Sequence, residues 1–166
     1  MEIISKNTEG TRNLAFDLAQ KIQNGEISSS NGALVIGLHG DLGAGKTTFM
    51  KSFAEALGVK ETIQSPTFVI MKIFNTSPPS PLLIKERGRP SLRGRGEVYE
   101  KLVHIDAYRL ESGEELKKLG WEEMVKDPKN IICIEWPEKV EDILNDFIHL
   151  NFEHISENER KITINI

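Results

Sequence analysis

Ala33-Leu34-Val35-Ile36-Gly37-Leu38-His39-Gly40-Asp41-Leu42-Gly43-Ala44-Gly45-Lys46-Thr47-Thr48 is the stretch that decides the fold class of this chain. Ala33 to Leu38 is an almost wholly apolar run of strand length, which suits a strand buried on both faces of a sheet. Gly40 to Thr47 then satisfies the spacing G-x-x-x-x-G-K-[ST]. Each residue type in that spacing has a physical reason. Glycines let the backbone turn so tightly that successive N–H groups point inward at a phosphate, and a helix starting at Lys46 offers its positive end to the same charge. The Lys46 ammonium can reach β- and γ-phosphate oxygens, and the Thr47 hydroxyl can ligate Mg²⁺. The expected nucleotide-contacting set is therefore Gly40, Asp41, Leu42, Gly43, Ala44, Gly45, Lys46, Thr47 and Thr48, with ATP and Mg²⁺ as the expected cofactors.

Working outward, Lys46 to Leu57 reads as a helix with Phe49, Phe53 and Leu57 on one side and Gly58 beyond its end. Upstream, Leu14, Ala15, Leu18, Ala19 and Ile22 repeat at helical spacing after the possible caps Thr8 and Thr11, and Gly25 ends that helix. Downstream, strands are expected at Thr67 to Phe74, Val98 to Ile105 and Ile131 to Ile134. Ser112 followed by Glu115 suggests a capping box for a helix running into Leu119. Ile148, Leu150 and Phe152 alternate with polar residues, as do Ile162, Ile164 and Ile166, so two half-buried antiparallel strands should close the domain. The predicted fold is a single α/β P-loop NTPase domain over residues 1–166, with a central, mostly parallel sheet flanked by helices and antiparallel C-terminal strands.

Composition narrows the function classes. With 166 residues, 39% of them apolar, the chain can build one sizeable core, and a second domain is not expected. A net charge of -4 argues against a surface built to coat nucleic acid, so any contact with tRNA or DNA has to be local. The single cysteine, Cys133, lies in an apolar run, where a reduced buried thiol fits a cytoplasmic protein. Met1 to Gly10 lacks the basic start and apolar stretch of a signal peptide, and no apolar run reaches membrane-spanning length, so no membrane partner is expected. Ser77 to Gly96 breaks the rhythm, mixing prolines with Arg87, Arg89, Arg93 and Arg95. Its poverty in apolar residues, between two expected strands, predicts a dispensable, disordered insertion in a hairpin loop; the alternative is an arginine-bearing lid or a tRNA-contacting arm.

A phosphate-binding loop of this kind needs an acid at the end of a neighbouring strand to hold the metal or its water. Ile131-Ile132-Cys133-Ile134-Glu135 is the stronger candidate by pattern, because four apolar residues run into one carboxylate. Leu102-Val103-His104-Ile105-Asp106 also runs into an acid. Either acid alone could cap a helix or face water; with the loop present, at least one is expected to serve the metal.

Together, Gly-Asp-Leu-Gly-Ala-Gly-Lys-Thr-Thr, Ser65-Pro66-Thr67-Phe68, His104-Ile105-Asp106-Ala107-Tyr108-Arg109-Leu110 and Ile134-Glu135-Trp136-Pro137 closely resemble the motifs of the TsaE (YjeE) family, the ATPase of bacterial tRNA threonylcarbamoyladenosine synthesis. They stand in the family's order and cover most of the chain; the Ser77 to Gly96 segment departs from the short connection usual there. The resemblance implies that Thr47 and Glu135 bind Mg²⁺, that Asp106 sits near the γ-phosphate and is required for activity, and that Lys46, Asp106 and Glu135 form the catalytic set. It makes Thr67 a candidate γ-phosphate sensor and places Thr8 or Thr11, and Arg160, beside the base. It also implies TsaD and TsaB as partners, with tRNA met indirectly through their complex. Trp136 is read as either a packing residue beside Glu135 or a partner-facing or nucleotide-adjacent one, and His39 and His104 as structural neighbours of strand ends. Two rival functions are a small-molecule kinase with an arginine-bearing lid and a nucleotide-gated binding module without significant turnover.

Overall fold

The computed structural model describes residues 1–64, 69–77 and 99–166. The apolar run at its centre forms β2 (Leu34–His39), flanked by β5 (Asn130–Glu135) on one side and β6 (Ile148–His154) on the other, both parallel to it. Next to β5 lies β4 (Lys101–Asp106), again parallel. The outer strands are antiparallel: β3 (Met71–Asn75) on β4, β7 (Arg160–Asn165) on β6, and β1 (Glu2–Ser5) on β7. Among the described residues the sheet has seven strands in the order β1-β7-β6-β2-β5-β4-β3, so the mostly parallel expectation describes the centre and the edges make the sheet mixed. Strand β1 escaped the sequence reading because four residues are too few to display a period; its place comes from the register Ile3↔Ile162 with β7.

Alternation along the strands splits the core in two. Leu34, Ile36 and Leu38 of β2 pack with Ile131, Cys133 and the helices α1 (Thr8–Gln23) and α2 (Lys46–Ala56). Val35, Val103, Ile105, Ile132 and Ile134 point the other way, against Leu116 of α3 (Gly113–Lys118) and Trp121 of α4 (Trp121–Lys126). Two-residue periodicity thus serves helices on both faces of one sheet.

Several local expectations need correction. The cap of α1 is Asn7, in extended backbone with its Oδ1 accepting from the Gly10 amide at 2.8 Å, so Thr8 and Thr11 lie inside the helix. Ser112 does stand before α3, yet its side chain makes no capping bond; Glu115 Oε1 accepts from Glu111 N, and Asp142 Oδ1 accepts from Gly113 N. Helix α4, which follows Gly120, was not anticipated. Ile162 and Ile164 are buried as expected, whereas Ile166 lies past the end of β7 and is 83% exposed. Strands β3 and β4 begin at Met71 and Lys101; Thr67, Phe68 and Val98 of the expected strands, and 78–96 of the expected insertion, lie outside the described residues. Among the described residues no helix is long and apolar enough to cross a membrane.

Candidate nucleotide-binding site

Residues 40–45 turn the chain from the end of β2 into the start of α2. Gly40 has φ 129°, and a Cβ there would lie 2.4 Å from the Phe152 carbonyl oxygen, so only glycine fits. Gly45, at φ 109°, occupies the cap position of α2 and leaves the helix's first amides facing the loop. Lys46 is only 5% exposed. Its ammonium donates to the carbonyl oxygens of Gly40 and Asp41. Burial lowers the Lys46 pKa below its ordinary value, and the charges of Glu135, Glu138, Asp106 and Asp41 act in the opposite direction.

Opposite the loop, β4 and β5 each end in a buried acid, and these are register partners, Asp106 beside Glu135. Period-two alternation places Leu102, His104 and Asp106 on the same side of the sheet as Ile131, Cys133 and Glu135, the side that faces α2. Asp106 Oδ1 accepts from the Tyr108 amide at 3.1 Å. Glu135 Oε1 accepts from His104 Nε2 at 2.8 Å. A cavity of about 450 Å³ separates the two sides, lined by Leu42, Gly43, Gly45, Lys46, Thr47 and Thr48 on one and by Asp106, Tyr108, Glu135 and Trp136 on the other. That volume is in the usual range for a small-molecule site, and it lies beyond the carboxyl ends of parallel strands, where open α/β sheets hold ligands.

The donors fit a hard divalent cation. Thr47, Asp106 and Glu135 bring only oxygen to the cavity, and among the described residues no group of three or more His, Cys, Asp or Glu side chains forms a metal cage. Mg²⁺ suits such a site, since it needs few protein ligands when phosphates and water supply the rest.

Comparison with known proteins gives the family of the chain. The family model described as Threonylcarbamoyl adenosine biosynthesis protein TsaE matches residues 5–85 and 90–162. The chain belongs to the TsaE family. Proteins named tRNA threonylcarbamoyladenosine biosynthesis protein TsaE are similar to it in Rickettsia felis, at 34% identity over 98% of this chain and 78% of the relative. The corresponding figures for Aquifex aeolicus are 33%, 98% and 94%. The crystal structure of YdiB from Bacillus subtilis superposes with a TM-score of 0.65 at 25% identity, covering 99% of this chain and 83% of that one. Membership of the TsaE family makes this a nucleotide-binding P-loop protein.

Gly40 and Asp41 act through backbone carbonyls on Lys46, and Ala44 is buried beneath the loop with its amide donating to Asp41 O. Arg160 stands next to the loop, its Nε 4.0 Å from where a Gly45 Cβ would be, while Nη1 donates to the carbonyls of Ser156, Glu157 and Glu159. It does not line the cavity, nor does Thr11, whose hydroxyl is buried against Ser5 Oγ at 2.9 Å. Thr67 lies outside the described residues. Trp136 lines the cavity, and Tyr108, whose ring centroid is 5.1 Å from it, joins the wall without having been singled out; its place two residues after Asp106 was the available signal. His39 lies off the cavity, stacked on His149.

Proposed function

We propose that this TsaE family chain binds ATP with Mg²⁺ in the cavity beside Gly40–Thr47, hydrolyses it, and uses the cycle to drive turnover of a TsaD–TsaB complex that makes threonylcarbamoyladenosine in tRNA. The observation that carries the reading is the convergence of Lys46, Thr47, Asp106 and Glu135 on one cavity. In this reading the Lys46 ammonium exchanges the Gly40 and Asp41 carbonyls for β- and γ-phosphate oxygens. Thr47 and Glu135 hold the metal, which neutralises charge on the triphosphate when bound. Asp106, already buried and fixed by the Tyr108 amide, orients the attacking water at the γ-phosphorus. A P–O bond to that water forms, the bond to the β-γ bridging oxygen breaks, and ADP, phosphate and a proton leave. The names of the relatives place them in threonylcarbamoyladenosine biosynthesis, which supports the same process here.

Departure of the γ-phosphate changes what Lys46 and the neighbouring loops can contact, with Thr67 as the proposed sensor, and so alters the grip on a partner. tRNA is met through the partner complex, in the cytoplasm. The test is multiple-turnover modification of tRNA by purified cognate TsaD and TsaB. Added chain plus ATP should sustain turnover, and the Lys46→Ala variant should not; equal turnover without the chain would overturn the proposal.

A further inference from the structure

His104 is wholly enclosed, in a strand whose neighbours Leu102, Val103 and Ile105 are apolar. Burying a polar ring is costly unless hydrogen bonds offset it. Here one ring nitrogen is satisfied: Nε2 lies 2.8 Å from Glu135 Oε1, and Nδ1 has no partner among the described residues. An ionised carboxylate only accepts, so Nε2 is the donating nitrogen. Among the described residues, the sole polar contact that offsets the burial of His104 is therefore the bond to one oxygen of an acid lining the nucleotide cavity.

We infer that His104 is a positioning residue, tying Glu135 Oε1 so that the carboxylate is held in one rotation and presents Oε2 to a divalent cation. This rests on the reading of Glu135 as a metal-holding acid. The geometry follows from the sheet. His104 pairs with Cys133, two residues before Glu135, so its ring lies diagonally below the carboxylate on the face toward α2. A donor at that point removes the freedom of the terminal carboxylate to rotate, which would otherwise be lost when the ion binds. Outer groups that orient metal ligands in this way typically change metal affinity about 10–100-fold when removed. His104 thereby acquires a role at the site that its strand-end position alone did not suggest.

The test measures Mn²⁺ affinity of the full chain loaded with a non-hydrolysable ATP analogue, by electron paramagnetic resonance of free Mn²⁺. His104→Phe should weaken Mn²⁺ about 10–100-fold while metal-free analogue binding stays unchanged, and His104→Gln, which can return a donor to Oε1, should restore most of the loss. Glu135→Gln should weaken Mn²⁺ as well, and adding His104→Phe to it should do little more, because both act on one interaction. Wild-type Mn²⁺ affinity in folded His104→Phe, alongside a weakened Glu135→Gln, would leave His104 a packing residue and overturn the inference alone. Wild-type affinity in Glu135→Gln would overturn the assignment of Glu135 and the inference with it. Should His104→Phe not fold, the His104 Nε2–H resonance of the wild-type analogue complex decides: it should shift when Mg²⁺ is added, and an unmoved resonance overturns the inference.

Discussion

The indole of Trp136 lies over the ammonium of Lys46, with Nζ 4.0 Å from the ring centroid. Trp136 reaches this position from a left-handed backbone, φ 61°, directly after Glu135. The contact is of cation–π type, and any triphosphate that engages Lys46 has to alter it. The other tryptophan, Trp121, is buried under the opposite face of the sheet. Trp136→Leu is therefore expected to remove the change in tryptophan fluorescence caused by ATP, leaving the Trp121 emission. A response of wild-type size in that variant would show that the ring over Lys46 does not sense the ligand.

Lys46→Ala removes the charge proposed to reach the phosphates and should weaken ATP binding by about 1.5–3 kcal/mol, with loss of hydrolysis. Its effect on folding should be small, because burial lowers the Lys46 pKa in the native state and the substitution relieves that desolvation. Calorimetry for binding and a phosphate-release assay check both halves; unchanged turnover would refute the role of the loop.

Glu135→Ala and Glu135→Gln should separate stability from catalysis. Both should impair Mg²⁺-dependent hydrolysis, as should Asp106→Ala. Only Glu135→Ala leaves the buried His104 Nε2–H without its acceptor, which should cost about 1–3 kcal/mol of stability in chemical denaturation. Equal stabilities for the two Glu135 variants would count against the strength of that bond.

His39 makes the pH dependence of stability testable. Burial lowers its pKa below 6.5; Glu138 and Glu141 work against the lowering, and His149 adds to it. Below pH 6.5 the unfolded chain takes up a proton that the native ring resists, so stability should fall with pH until the native ring also protonates. His39→Asn should therefore show a shallower drop in melting temperature between about pH 8 and about pH 5. An identical slope in the variant would assign the acid loss to other groups.

A Gly-Ser connection replacing residues 78–96 should leave ATP binding, basal hydrolysis and melting temperature nearly unchanged, since the replaced segment is poor in apolar residues. Ser77 is best kept, because its amide donates to Leu57 O at 3.1 Å. The hairpin is already closed on both sides of the cut by Thr76 N to Glu100 O and Thr76 Oγ1 to Tyr99 O. Collapse of basal hydrolysis in a folded variant would instead assign an arginine of this segment to the γ-phosphate.

The sequence by itself determined the phosphate loop, the strand before it, the helix after it and both strand-end acids. Each is local: glycine spacing, an apolar run and a helical period are visible within a dozen residues. The strand patterns left open which acid belongs to the site, because that is a matter of neighbouring strands, and only the family resemblance implied both. Tertiary structure brought both there, since parallel pairing sets Asp106 beside Glu135 and alternation turns both toward α2. It also decided what no local pattern carries: β1 added at the sheet edge by four residues, Asn7 rather than a threonine capping α1, and Trp136 over Lys46. His104 looked like an ordinary strand residue for the same reason. Its partner is 31 positions away, and only pairing of β4 with β5 closes that distance to one hydrogen bond.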